Sequence, residues 1–307
     1  MAMVQYDLWN NCSNHCDFCL IYRKRILEKD KMIERIDEII KNIDYVGDRW
    51  TTEFSDGVSL LGGELYFITD PDVQNKFMEL VDHIIDKILL PNKDKVCKYS
   101  TVTNGIYEPS FLFRVIDHIV ERAGIQFVDV NFSYDLKYRF HSEESRLLCL
   151  ENMRKFAERY NYRIGAQMIV TGALIDMINR GEFDIGEFQT KIVPNSIVEF
   201  LYPHEIHTGK VLDDFQFTRS QFIKFLIWLK ENYYENFINY HDSITNSSIF
   251  KYTGLYIRED WSIDIEPRLS DGKEVINPAC GHSVLYQCYK DCDKCILCDI
   301  KKIKEQK

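Results

Sequence analysis

Residues 3–19 read MVQYDLWNNCSNHCDFC. The segment Met3 to Leu8 is a short β-rich run. It runs directly into a loop carrying Cys12, Cys16 and Cys19, spaced by three and then two intervening residues. A strand that delivers three thiols into one short loop places a candidate metal centre at its C-terminal end.

Five further β-rich runs follow, at Val58 to Leu61, Lys98 to Thr103, Phe127 to Ser133, Arg163 to Val170 and Ile197 to Tyr202. Helical patterns fill the gaps. Ile33, Ile36, Ile39, Ile40 and Ile43 form one apolar stripe. A second helix is marked by Asp70 and Pro71 in N-cap and first-turn positions, with Phe77, Leu80, Val81, Ile84, Ile85 and Ile88 as its buried face. A third starts near Pro109 with Phe113, Ile116 and Val120 inward, and a fourth spans Ser142 to Tyr160 with Leu147, Leu150 and Phe156 inward. This β-then-α repetition predicts an α/β fold of parallel strands joined by helical crossovers, as an open sheet or a complete or partial barrel. In each of these, functional groups collect at the C-terminal ends of the strands.

After about Tyr202 the rhythm changes to an amphipathic helix, Thr218 to Tyr233, a hairpin from Leu255 to Arg258 and Ser262 to Ile265, and a cysteine-rich tail. The expected division is therefore residues 1–205 and 206–307.

Composition narrows the function classes. Hydrophobic residues make up 45% and charged residues 28% of the 307, which is ordinary for a globular protein. No apolar run approaches the roughly 20 residues that cross a bilayer, and Met1 to Asn10 lacks the basic and apolar regions of a signal peptide. A cytoplasmic location and no membrane partner are expected. The net charge of −10 disfavours a long nucleic acid as partner.

Ten cysteines in a reducing compartment point to metal or redox chemistry more than to disulfides. Cys97 and Cys149 stand alone and read as buried small apolar residues. In the first trio, a four-iron cubane held by three cysteines keeps one iron open for an exchangeable group. A structural zinc would need a fourth ligand, and His15, between two of the cysteines, is poorly placed to chelate.

Cys-x3-Cys-x2-Cys with an aromatic before the last cysteine resembles the signature of the radical S-adenosylmethionine (SAM) superfamily. The resemblance implies a partial (β/α)6 TIM-like barrel followed by a small cysteine-rich α+β extension. It implies a [4Fe-4S] cluster on Cys12, Cys16 and Cys19, with the open iron binding SAM and Phe18 against the adenine. One electron then cleaves SAM to a 5′-deoxyadenosyl radical that abstracts hydrogen from substrate; a reductant such as flavodoxin or ferredoxin is implied.

Other strand ends carry matching residues, and the likeness covers about residues 1–205. Gly62-Gly63-Glu64 resembles the family's GGE motif for the SAM amino group; its glycines permit close backbone approach. Thr103-Asn104-Gly105 reads as a turn with a left-handed glycine, and the family often has this triplet lining the site. Ser133 and Asp135 resemble the family's residues near the SAM ribose and carboxylate. Met168 to Thr171 and Leu201 to Tyr202 occupy places where the family contacts adenine. His204, Glu205 and His207 are candidate proton carriers or simply solvated loop residues.

Near the C-terminus, Cys288, Cys292, Cys295 and Cys298, with Cys280 upstream, are dense enough to bind metal. Four thiolates suit an iron–sulfur cluster or a structural zinc. The segment resembles the SPASM and twitch auxiliary-cluster extensions, although its spacing departs from the seven-cysteine SPASM pattern, so that one auxiliary cluster is expected. Such extensions imply a peptide or protein side chain as substrate. With eleven residues ahead of Cys12, no separate peptide-recognition domain is expected in front of the motif. Modification of a nucleobase, nucleotide or other small metabolite is the second enzyme reading, and a non-catalytic zinc-binding interaction module is the reading of another class.

Overall fold

The computed structural model describes residues 3–14, 16, 27–46, 57–95, 97–201, 217–245, 255–257, 263–265 and 303–304. Six strands lie side by side in chain order: β1 (Met3–Asp7), β2 (Gly57–Leu61), β3 (Lys98–Thr103), β4 (Val128–Ser133), β5 (Ile164–Ile169) and β6 (Ser196–Leu201). All five neighbouring pairs are parallel. β6 and β1 stand apart as the two ends of this run, which is the arrangement of a partial TIM-like barrel. The far edge of β1 pairs in parallel with β7 (Leu255–Ile257), which turns back antiparallel into β8 (Ile263–Ile265). The hairpin expected from the sequence is thus present, and it extends the same sheet.

Each crossover is helical: α1 (Lys29–Val46), α2 (Pro71–Ile84), α3 (Ser110–Arg122), α4 (Glu143–Tyr160) and α5 (Gly172–Asn179), then the short α6 (Ile185–Glu187). Capping explains where several begin. The Asp70 carboxylate accepts from the Asp72 and Val73 amides with Pro71 in the first turn, and Ser142 opens α4 through a capping box with Ser145. Beyond β6, Thr218 caps α7 (Arg219–Asn232), and α8 (Tyr234–Thr245) follows almost at once. Phe200 of β6 packs edge-on against Phe225 of α7 and Tyr240 of α8. No helix among the described residues is long and apolar enough to cross a membrane.

The isoleucine stripe of α1 and the six apolar residues expected on α2 are buried, except that Ile33 is half-buried. Two helices differ from the sequence reading. On α3 the core face is Leu112, Val115, Ile116 and Ile119, leaving Phe113 and Val120 half-buried at its edge. On α4, Leu147 is 50% exposed. It lies six residues from buried Met153, hence about 120° around the helix from the core-facing side.

Strand parity divides the sheet into two chemically different faces. Val128, Val130 and Phe132 of β4 face the helices, where Phe132 meets Phe156 of α4. The alternate positions, facing inward, are largely polar: Asp7, Ser59, Lys98, Ser100, Asp129, Asn131, Ser133, Gln167 and Glu199. Ser100 donates to Asp129 at 3.0 Å and Gln167 to Glu199 at 3.3 Å across neighbouring strands. The interior of a closed barrel is filled by Val, Ile and Leu layers; this inner face is built to meet polar groups.

Candidate active site

The loop after β1 is anchored at both ends of its cysteine-bearing part. Buried Arg35 of α1 donates twice to the Asp7 carbonyl, at 2.7 and 3.0 Å, fixing the C-terminal end of β1. Asn11 then exchanges two hydrogen bonds with the backbone of Leu27: its amide donates to the carbonyl at 3.0 Å and its oxygen accepts from the N–H at 2.9 Å. Residues 11 and 27, on either side of the cysteine motif, are therefore held together. The Asn11 pair is unread in the sequence, because its partner lies sixteen positions away across a loop without periodicity.

The same loop is stitched to the end of β2. The Gly63 amide donates to the Trp9 carbonyl and the Glu64 amide to the Asn11 carbonyl, each at 2.7 Å. This approach requires the two glycines. A Cβ at Gly62 would lie 2.4 Å from the Trp9 carbonyl oxygen, and one at Gly63 would lie 2.1 Å from that of Asn11.

The Glu64 side chain is buried and turned toward β3. Its carboxylate accepts from the Asn104 amide at 2.7 Å, the Thr103 hydroxyl at 3.0 Å and, at 3.4 Å, the Tyr66 amide. Thr103 in turn shares a 2.7 Å hydrogen bond with the Tyr107 hydroxyl. Burial outweighs these donors and pushes the Glu64 carboxyl up to about 7. Gly105 has the left-handed backbone expected of this turn (φ 64°), and Asn152 of α4 supports it by donating to the carbonyls of Gly105 and Tyr107.

Cys12 is half-buried and Cys16 buried, and polar hydrogens converge on both sulfurs. Cys12 Sγ accepts from the Asn14 amide at 3.4 Å and from Asn104 Nδ2 at 3.6 Å. Cys16 Sγ accepts from Asn14 Nδ2 at 3.1 Å and Arg139 Nη1 at 3.7 Å. The Asn14 side chain also donates to the Arg139 carbonyl at 2.9 Å, joining the cysteine loop to the segment after β4. Such a donor set suits thiolate ligands, whose excess charge N–H groups stabilise. The two cysteines fit an iron–sulfur cluster on this chemistry. Among the described residues no three His, Cys, Asp or Glu side chains form a metal-sized group. Phe18 and Cys19, like His15, lie outside the described residues.

Ser133 closes β4, half-buried beside Gln167 of β5. Asp135, two residues on, is buried and fully engaged: one oxygen accepts from the Ile169 amide at 2.7 Å, the other from Arg139 at 2.6 and 2.9 Å. Beside it lies a small cleft of about 20 Å³ at the ends of β4 and β5, lined in part by Asp135, Tyr138, Met168, Ile169 and Thr171. The sequence-predicted residues thus fall into two groups. Cys12, Gly63, Glu64, Thr103 and Asn104 belong to one hydrogen-bonded network with Gly62 packed alongside and Cys16 joined through Asn14, and Asp135 with Met168 to Thr171 forms the wall beside it. Leu201 ends β6 well exposed, whereas Tyr202, His204, Glu205 and His207 lie outside the described residues. So do Cys280, Cys288, Cys292, Cys295 and Cys298. Cys97 and Cys149 are buried in the core, and burial pushes the Cys149 thiol up to about 12, so it is neutral.

Sequence reasoning missed Asn11, Asn14 and Arg139. Only Arg139 left a trace, as the basic partner four residues after Asp135.

No family model matches the chain, and no curated protein does. Solved structures do. Native anSMEcpe with bound AdoMet and Cp18Cys peptide aligns at 16% identity and TM-score 0.53, over 78% of this chain and 61% of that one. Histidine-tagged anSMEcpe with bound AdoMet aligns at 14% identity and TM-score 0.54, over 85% of this chain and 70% of that one. SuiB of Streptococcus suis aligns at 14% identity and TM-score 0.49, over 85% of this chain and 59% of that one. The aligned chain spans only 61% of the length of the first of them. What the likeness establishes is the architecture: the α/β partial barrel of this chain is shared with anSMEcpe.

Proposed function

We propose that the chain is a radical SAM enzyme acting on a peptide or protein side chain. The observation that carries this reading is the pair Cys12 and Cys16 at the C-terminal mouth of a parallel half-barrel, in a loop locked to Gly63 and Glu64 with N–H donors aimed at both sulfurs. A [4Fe-4S] cluster on Cys12, Cys16 and Cys19, when bound, supplies the electron that cleaves SAM. The chain's own residues bind and orient. Glu64 offers a carboxylate to the SAM ammonium, with Thr103 and Asn104 fixing its direction, and Ser133 offers a hydroxyl to the ribose. Asp135 contributes by holding Arg139 and the Ile169 amide beside Met168 to Thr171, which with Phe18 would contact adenine.

The peptide bound to anSMEcpe supports a peptide substrate here, and the polar inner face of β3 to β6 supports a substrate rich in hydrogen-bonding groups. Cys280, Cys288, Cys292, Cys295 and Cys298 would hold one auxiliary iron–sulfur cluster, with zinc as the alternative metal, and a flavodoxin or ferredoxin would supply electrons.

The test is anaerobic reconstitution followed by SAM and dithionite. The expected result is 5′-deoxyadenosine, with deuterium appearing in it from a labelled peptide substrate. Absence of 5′-deoxyadenosine from protein that has taken up iron sinks the enzyme reading. Deuterium transfer from nucleotides but never from peptides sinks the substrate class.

A further inference from the structure

Asp135 and Arg139 form an ion pair whose side chains are only 8% and 13% exposed. A buried pair is costly to desolvate and contributes little to stability by itself, so its placement calls for another reason. The guanidinium points one nitrogen at Asp135 Oδ2, 2.6 Å away, and another at the Cys16 sulfur, 3.7 Å away. Asp135 is itself immobilised, because its second oxygen takes the Ile169 amide at 2.7 Å. The chain β5 backbone, Asp135, Arg139, Cys16 is therefore continuous. Asn14 and Asn104 also donate to these sulfurs, and both are neutral.

We infer that Arg139, positioned by Asp135, raises the reduction potential of the cluster that Cys16 helps to hold, by giving a charged N–H to the Cys16 sulfur. The inference rests on the cluster reading above. Taking one electron from a reductant adds a negative charge to the cluster and its thiolates. A fixed cation within hydrogen-bonding reach stabilises that reduced state more than the oxidised one. Arg139 is a positioning residue on this account, acting through Cys16. Its backbone carbonyl separately accepts from Asn14, so side-chain substitution leaves that stitch between the loops in place.

The experiment is a redox titration of the reconstituted protein, followed by electron paramagnetic resonance. The signal that changes on adding SAM identifies the cluster of the Cys12 loop. Wild type is compared with Arg139→Lys, Arg139→Gln and Arg139→Met. The expected order is wild type, then Lys, then Gln and Met at progressively more negative midpoints. A merely structural role would lower cluster occupancy at an unchanged midpoint, and midpoints of the Gln and Met variants equal to wild type would overturn the inference. If Met at this position holds no iron, the Lys and Gln variants decide by the same criterion. A wild-type protein with iron but no SAM-responsive signal overturns the cluster reading, and this inference with it.

Discussion

The backbone amide of Glu64 donates to the carbonyl of Asn11 at 2.7 Å, so the residue that closes the cysteine loop is fastened to the residue that reaches the end of β3. Strand ends β1, β2 and β3 are thereby coupled through two residues. Geometry at Cys12 depends on contacts that no cysteine makes.

Gly63→Ala tests this coupling. The added methyl would stand 2.1 Å from the Asn11 carbonyl oxygen, a backbone atom that cannot move aside without opening the loop. Overpacking of this kind costs about 1–3 kcal/mol. The expected outcome is a lowered thermal midpoint together with reduced iron uptake at the N-terminal site. Unchanged iron content and melting would mean the two loops are not held together as described.

Glu64→Gln separates folding from ligand binding. The carboxyl sits near 7 in the fold against an ordinary value of 4.5, chiefly because of burial. A raised value means the folded state keeps a proton that the unfolded chain releases. Its stabilisation is therefore complete below about pH 4.5 and is lost as pH rises to about 7, to the extent of about 3 kcal/mol at most. The SAM-free wild type should lose stability across that window, while the Gln variant should stay flatter in pH-dependent thermal denaturation. An arriving ammonium would favour the ionised carboxylate. The variant should accordingly bind SAM roughly ten- to a hundredfold more weakly, the worth of a charged hydrogen bond, in a direct binding titration.

Much of the fold was legible because the strands are short β-rich runs with clear punctuation. Lys98–Thr103 matches its expected range, and Asp70 with Pro71 starts α2 where the cap chemistry says it must. The helix faces were harder. Leu147 looked inward because it is a leucine near the other apolar positions of α4, yet Cys149, Met153 and Ala157 complete the buried face and rotate it away. Helix α8 was hidden because it follows α7 with only Tyr233 between them. The site was legible where a motif is contiguous, as in Gly62-Gly63-Glu64, and illegible where an asparagine or arginine finds its partner through the fold. Asn14 and Arg139 are separated by 125 positions and meet over Cys16.

Cys16→Ala probes the metal assignment without disturbing the barrel. The residue lies in a loop held by Asn11 and Gly63, and neither anchor uses its sulfur. The variant should keep the circular dichroism of wild type, lose about four irons per chain and form no 5′-deoxyadenosine, while metal bound by the C-terminal cysteines stays. Retained 5′-deoxyadenosine formation would refute the role of Cys16.

The inner face of the half-barrel makes the last prediction. Asp129 and Glu199 both face inward, on either side of the row that holds Asn131 and Gly165, and no side chain at Gly165 fills the space between: a Cβ there would meet Asn131 Oδ1 at 2.0 Å and the Glu199 carboxylate at 2.9 Å. Burial raises the Glu199 carboxyl above its ordinary range, with Asp129 adding to the shift and Gln167 opposing it. A carboxylate held like that of Glu199 against a desolvation cost serves a bound group better than it serves the sheet. Asp129→Asn and Glu199→Gln should each raise KM for a peptide substrate, by roughly five- to a hundredfold if one hydrogen bond worth about 1–3 kcal/mol is lost. Neither change touches the cysteine loop, so SAM cleavage in the absence of substrate should proceed at the wild-type rate. Steady-state kinetics set beside uncoupled 5′-deoxyadenosine release would check both halves. An equal loss in the two assays would place these carboxylates in the support of the fold, away from the substrate.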